Sequence, residues 1–248
     1  MRIIVVDNYE EMSKKAAIMM ASQVVLKPNS VLGLATGSTP VGMYKELVNM
    51  YKVGEVDFSD VKTFNLDEYY GLDKNNQQSY HNYMMENLFD HINVKEENIN
   101  IPNGMAENVE KECLDYDRRI EEVGGIDIQV LGIGANGHIG FNEPNVSFEA
   151  GTHLVKLDEK TIKDNSRFFD SIGEVPTTAV SMGIKTIMMS KKIILLANGK
   201  GKAEAIKKTI EGKITPEVPA SILQLHKDVT FIIDKEAANE LSNVKFKK

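Results

Sequence analysis

Short apolar-rich runs alternate along the chain with longer stretches in which apolar positions recur every three or four residues. The short runs fall at 3–6, 31–35, 61–66, 126–133, 154–157, 179–182, 193–197 and 229–233. Most are dominated by Val, Ile and Leu rather than strictly alternating, as expected of strands buried on both faces of a parallel sheet. The longer stretches, at 10–26, 41–51, 79–92, 107–123, 202–211 and 235–241, carry helical periodicity. This β-then-α order predicts an α/β fold, with a Rossmann-like, mostly parallel sheet flanked by helices on both faces. No Pro/Gly/Ser-rich linker, low-complexity tract or internal repeat interrupts the 248 residues, which predicts a single domain over 1–248.

In such sheets ligands bind beyond the carboxyl ends of the strands, so chemistry is sought just after each apolar run. After 31–35 comes Thr36-Gly37-Ser38-Thr39-Pro40. Small hydroxyl residues, a glycine and a proline before a helix suit either an ordinary capped start or an anion cradle of free amides. After 193–197 comes Asn198-Gly199-Lys200-Gly201-Lys202. Lysines at a helix start oppose the helix dipole, which a bound anion would explain and simple solvation would also permit. Two such corners point toward a phosphate-bearing ligand. Neither has the spacing of a Walker loop.

Asp67 follows the run 61–66, placed either to act as a general base or to cap a turn. After 126–133 the chain reads Gly134-Ala135-Asn136-Gly137-His138-Ile139-Gly140-Phe141-Asn142-Glu143-Pro144. Gly132, Gly134 and Gly137 outline a dinucleotide fingerprint, but Pro144 leaves no room for the helix that motif must open. The glycines instead describe a loop that wraps a small ligand. His138 and Glu143 become acid/base candidates, with Asn136 as an orienting amide. Cys113 is the one cysteine, so no intrachain disulfide forms; its helical setting reads as packing rather than as a reactive thiol.

Charge and hydropathy narrow the partners. A net charge of −7 argues against non-specific nucleic-acid binding. The N-terminal apolar run is too short for a signal segment, and the stretch 193–197 falls far below a membrane span. A soluble, cytoplasmic protein acting on a small molecule is expected.

Together these residues resemble the glucosamine-6-phosphate deaminase family over nearly the whole chain. The resemblance is carried by Ala35 to Pro40, Phe64-Asn65-Leu66-Asp67-Glu68-Tyr69, Ser79-Tyr80, Gly134 to Pro144, Asn165-Ser166-Arg167-Phe168-Phe169 and Gly201-Lys202-Ala203. The His-Ile-x-Phe-Asn-Glu-Pro run is specific to that family, while the Gly-Ser-Thr-Pro corner is shared with 6-phosphogluconolactonases. The resemblance implies conversion of glucosamine 6-phosphate and water to fructose 6-phosphate and ammonia, in amino-sugar catabolism, with no metal or organic cofactor. It implies Asp67 as the base between C2 and C1, His138 as the acid/base for ring opening, and Glu143 as its partner. It matches Thr36, Gly37, Ser38, Thr39, Arg167 and Lys202 to the phosphate-holding positions.

Two departures stand out. Many members have Asp at the position of Asn136, and Asn is expected to hydrogen-bond His138 without adding charge. Allosteric hexameric members carry basic residues where this chain has His153 and Val155, and they extend beyond the equivalent of Lys248. Hyperbolic kinetics without an N-acetylglucosamine 6-phosphate effect are therefore expected, and the choice between monomer and homo-oligomer stays open. Rival readings are a 6-phosphogluconolactonase, which needs no C2 base, a non-catalytic sugar-phosphate sensor, and a dehydrogenase weakened by Pro144.

Overall fold

The computed structural model describes residues 1–166, 169 and 171–242. Seven parallel strands form the main sheet, in the order β1-β10-β9-β6-β2-β3-β5. They are β1 (Arg2–Val6), β2 (Val31–Leu34), β3 (Lys62–Asn65), β5 (Ile99–Asn100), β6 (Ile128–Leu131), β9 (Ile193–Ala197) and β10 (Val229–Asp234). Every residue of β2, β6, β9 and β10 is buried, which explains their predominantly apolar, non-alternating sequence. A second, antiparallel sheet joins β4 (Asp67–Tyr69), β8 (Thr178–Ser181) and β7 (His153–Lys156).

The helices are α1 (Tyr9–Leu26), α2 (Val41–Lys52), α3 (Tyr80–Asn87), α4 (Val109–Glu122), α5 (Glu159–Asn165), α6 (Ile184–Met188) and α7 (Ala203–Glu211). The segment 235–241, expected as a helix, runs instead as consecutive turns. The Asp234 carboxylate accepts the N–H groups of Ala237 and Gly199, and only Ala238 makes an i→i−4 bond back, to Asp234. Asp234 therefore caps a single turn, and the bonds that follow, Asn239 N to Glu236 O and Leu241 N to Ala238 O, are of the i→i−3 kind, so the turn does not propagate as an α-helix. The segment 79–92 also ends early, α3 giving way after Asn87 to a 3₁₀ turn at Phe89–His91.

Chain order reverses between β2 and β6. From β2 the chain proceeds outward to β3 and β5, then returns to lay β6 on the other side of β2. This is the switch point at which an open α/β sheet leaves a crevice.

At the opposite end of the sheet, Asp127 is 4% exposed and accepts hydrogen bonds from Val31 N (2.8 Å), Lys27 Nζ (2.6 Å) and Lys191 Nζ (2.7 Å). Burial opposes its charge, but Lys191, Lys27 and the Val31 amide outweigh that and hold its pKa below the usual value. A carboxylate depressed in this way contributes stability above its unfolded pKa and loses it as pH falls through the folded value. Both ammoniums are partly exposed, so much of their attraction is screened. The buried amide bond is not. Asp127→Asn should lower unfolding free energy by about 2 kcal/mol in urea titrations at pH 7. The gap to wild type should narrow below about pH 4.

Candidate active site

Four neighbouring strand ends of the main sheet, β9, β6, β2 and β3, deliver the candidate residues. β9 leads to Asn198–Lys202, β6 to the 132–144 loop, β2 to Thr36–Thr39, and β3 to Asp67. Three inter-strand steps of ~4.8 Å place these ends within roughly 14 Å.

Asp67 opens β4 and is 6% exposed. Burial, and then the neighbouring Glu68 carboxylate, push its pKa up to about 8. No hydrogen-bond donor among the described residues offsets that. Glu68 is also buried, and its pKa rises to about 7, but it has three partners. It accepts the N–H groups of Tyr69 (2.8 Å), Tyr80 (2.9 Å) and His81 (2.8 Å), tying β4 to the start of α3. Two adjacent acids therefore differ in kind, one held by the backbone and one left available.

The 132–144 loop passes directly over Asp67. A methyl group at Gly140 would lie 3.6 Å from Asp67 Oδ2 and 3.1 Å from Ser181 Oγ. No helix follows the loop glycines, in agreement with rejection of the dinucleotide fingerprint. Gly137, at φ 89°, allows the chain to turn back so that Gly134 N donates to His138 O at 2.9 Å. The imidazole then lies over Gly134, where a methyl group would sit 2.4 Å from the ring. Gly134→Ala should displace the ring and lower kcat on the order of 100-fold, as small misplacements of reacting groups do. Steady-state rates of a variant with an unchanged circular-dichroism spectrum check this.

His138 Nδ1 and Glu143 Oε2 are 3.1 Å apart. An ionised carboxylate only accepts, so Nδ1 carries a hydrogen toward Glu143, and in the neutral imidazole the lone pair is then on Nε2. Glu143 Oε2 also accepts from Asn136 Nδ2 (2.8 Å), and Oε1 accepts from Thr161 Oγ1. Burial disfavours the Glu143 charge, but His138, Thr161 and Asn136 together hold its pKa below the usual value. Asn136 does not bond the His138 ring, contrary to expectation. Its Nδ2 serves Glu143, and its Oδ1 accepts the His138 backbone N–H at 3.2 Å.

At the other end, Pro40 is the N-cap of α2 rather than its first residue, and neither Ser38 nor Thr39 caps the helix. α7 likewise starts at Lys202 without a side-chain cap, whereas α1, α3, α4 and α5 are capped by Asn8, Ser79, Asn108 and Asp158. Tyr83 and Tyr9 donate their hydroxyls to the carbonyls of Gly37 (2.6 Å) and Ser38 (3.1 Å). A trans peptide sets N–H opposite C=O, so the amides of Ser38 and Thr39 face the other side of the loop. Thr39 Oγ1 donates to Asn198 Oδ1 at 3.2 Å, joining the two corners. Lys202 ends the 3₁₀ turn Lys200–Lys202 and is half-buried. Arg167 lies outside the described residues.

The two ends are joined by an aromatic floor that sequence reasoning missed. The Tyr80 hydroxyl meets Thr36, and it donates to the Tyr69 hydroxyl at 3.3 Å. The Tyr80 ring stacks on Phe141 at 14° with centroids 6.1 Å apart, and Phe141 lies 6.5 Å from His138. Among the described residues no group of three or more His, Cys, Asp or Glu could hold a metal ion, and no helix is long and apolar enough to cross a membrane.

Comparison with known proteins agrees with this arrangement. The family model for glucosamine-6-phosphate isomerases/6-phosphogluconolactonase matches residues 8–232. A glucosamine-6-phosphate deaminase of Clostridium botulinum (strain Kyoto / Type A2) is 70% identical over 242 residues, 98% of this chain and 99% of that protein. One from Clostridium acetobutylicum is 66% identical over 241 residues, 97% of this chain and all of that protein. The solved structure of a monomeric glucosamine-6-phosphate deaminase superposes with a TM-score of 0.94 at 48% identity, covering 96% of this chain and 99% of the other. The chain belongs to the family of glucosamine-6-phosphate isomerases and 6-phosphogluconolactonases.

Proposed function

We propose that this chain, as one catalytic domain, isomerises and deaminates glucosamine 6-phosphate, giving fructose 6-phosphate and ammonia in amino-sugar catabolism. The observation that carries this reading is a buried carboxylate, Asp67, without a hydrogen-bond donor among the described residues, beneath the loop that holds a histidine–glutamate pair. A lactonase has no use for a base at C2.

His138 Nε2 takes the proton of the C1 hydroxyl and returns one to the ring oxygen, with Glu143 stabilising the imidazolium that forms in between. Asp67 then removes the C2 hydrogen while a proton passes from the C2 ammonium to the C1 oxygen, giving the C1–C2 enolamine, and Asp67 delivers its proton to C1, so that the enolamine becomes a C2 iminium. Water adds to that iminium, and ammonia leaves. A base whose pKa lies near the working pH accepts and returns a proton with little penalty. The substrate carries its own ammonium at C2, and this charge offsets the burial that keeps Asp67 protonated. The phosphate rests on the amides of Gly37, Ser38 and Thr39, the hydroxyls of Thr36 and Ser38, and the cations Lys202 and Arg167.

The chain acts in the cytoplasm on this reading. His153 and Val155 line a cavity of about 400 Å³ beyond Glu143. Neither is a Lys or Arg, the basic residues that allosteric members carry at these positions, which supports hyperbolic kinetics. The test of function is ammonia release from glucosamine 6-phosphate, set against hydrolysis of 6-phosphogluconolactone by the same preparation. Ammonia release without lactone hydrolysis supports the reading, and the reverse pattern overturns it.

A further inference from the structure

α5 touches the site at two points that the reaction scheme leaves unused. Thr161 is 4% exposed and donates its hydroxyl to Glu143 Oε1. Asn165, one helical turn later on the same face, donates Nδ2 to the Tyr69 hydroxyl at 3.0 Å. Ile162 packs beside them against the small cluster of Tyr69, Phe141, Leu157 and Ala179. α5 is thus fastened to the acid–base carboxylate by one side chain and to the aromatic floor by another.

The carboxylate has two oxygens, and they are loaded unequally. Oε2 receives both His138 Nδ1 and Asn136 Nδ2, while Thr161 is the donor on Oε1. A carboxylate rotates easily about its last torsion, which is broad and two-fold. Without a donor on Oε1, rotation lets Asn136 and His138 fall on different oxygens, and the imidazole loses its fixed orientation. We propose that Thr161 is a positioning residue which locks the Glu143 carboxylate on its His138-facing rotamer, so that docking of α5 arms the acid–base pair. This rests on the assignment of His138 and Glu143 to ring opening. Thr161 itself touches neither substrate nor reacting atoms on this account.

Two substitutions separate positioning from packing. Thr161→Val keeps the shape and removes the hydroxyl, whereas Thr161→Ser keeps the hydroxyl and removes a methyl group. With glucosamine 6-phosphate, Thr161→Val should lower kcat about tenfold, the loss expected for one hydrogen bond to a charged group, with KM changed less than twofold. Thr161→Ser should recover most of that loss. Independently of turnover, the ¹³C carboxyl resonance of Glu143, assigned by its absence in Glu143→Gln, should titrate at higher pH in Thr161→Val and at the wild-type position in Thr161→Ser. The sign follows because the lost donor stabilised only the ionised form. An unmoved Glu143 titration in Thr161→Val, or a serine variant as impaired as the valine one, overturns the proposal. If wild type releases no ammonia but the titration moves as stated, the positioning role stands and the assigned reaction falls.

Discussion

Asp67→Asn should lower kcat for ammonia release by several orders of magnitude while leaving KM for glucosamine 6-phosphate within a few-fold of wild type. The amide is nearly isosteric with the carboxyl group it replaces. Asp67 makes no hydrogen bond among the described residues that the exchange would break. What is lost is the ability to take a proton from carbon, and removal of a sole general base costs ~10²–10⁴ or more. The corners proposed to hold the phosphate follow other strands, β2 and β9, which is why KM should hold.

The same substitution should also stabilise the protein at alkaline pH. The folded carboxyl has its pKa raised from 3.8 to about 8, so folding disfavours the ionised form. Stability associated with a raised group is complete below the unfolded pKa and is lost as pH rises through the folded one. Wild type and Asp67→Asn should therefore unfold alike near pH 4. They should diverge in favour of the variant up to about pH 8 and keep a constant gap above it. Such a trade is expected where a site stores an uncompensated buried acid. Thermal unfolding at matched pH values measures it. A variant less stable than wild type at pH 9 would show that the carboxylate is satisfied by a partner and is not poised for chemistry. At low substrate, kcat/KM for wild type should rise with pH toward the same value near 8, since the free enzyme must first lose the Asp67 proton.

The second large effect belongs to His138. His138→Gln keeps an amide able to reach Glu143 but removes the lone pair on Nε2, and with it the exchange of protons between the C1 hydroxyl and the ring oxygen. A loss of ~10²–10⁴ in kcat/KM is expected. This loss differs in kind from that of Asp67→Asn. Ring opening also occurs slowly in water, so the His138 variant should still process the open-chain fraction of substrate. Its rate should become sensitive to whatever increases that fraction. Asp67→Asn should show no such rescue. Equal insensitivity of both variants would mean that the two residues serve one step.

The division between what was legible in the sequence and what was not follows from physics. Buried parallel strands announce themselves as predominantly apolar runs without strict alternation, so β2, β6, β9 and β10 could be read directly. β4 and β5 are three and two residues long and carry no periodicity to detect. α5 is almost wholly polar and α6 spans five residues, so neither shows an apolar stripe. The segment 235–241 mimics a helix because Ala237, Ala238 and Leu241 are buried at helical spacing, while its backbone closes only i→i−3 bonds after the first turn. Within the site, Asp67, His138 and Glu143 stood out because ionisable groups follow buried strands there. Tyr69 shares β4 with Asp67 but carries no chemical signature of its own, while Thr161 and Tyr80 are ordinary residues on elements distant in sequence. Only the three-dimensional return of α3 and α5 to the strand ends gives them a role.

The account stands on Asp67 as the group that moves hydrogen between C2 and C1, and the label in the product reports it directly. Turnover of glucosamine 6-phosphate in D₂O, followed by NMR of the fructose 6-phosphate formed, should show deuterium at C1 for wild type wherever the Asp67 proton exchanges with solvent. Any unlabelled fraction represents hydrogen carried over from C2. In Asp67→Asn both the product and its C1 label should disappear together. Asp67→Asn turning over within tenfold of wild type, with the same labelling at C1, would contradict the assignment and with it the mechanism built upon it.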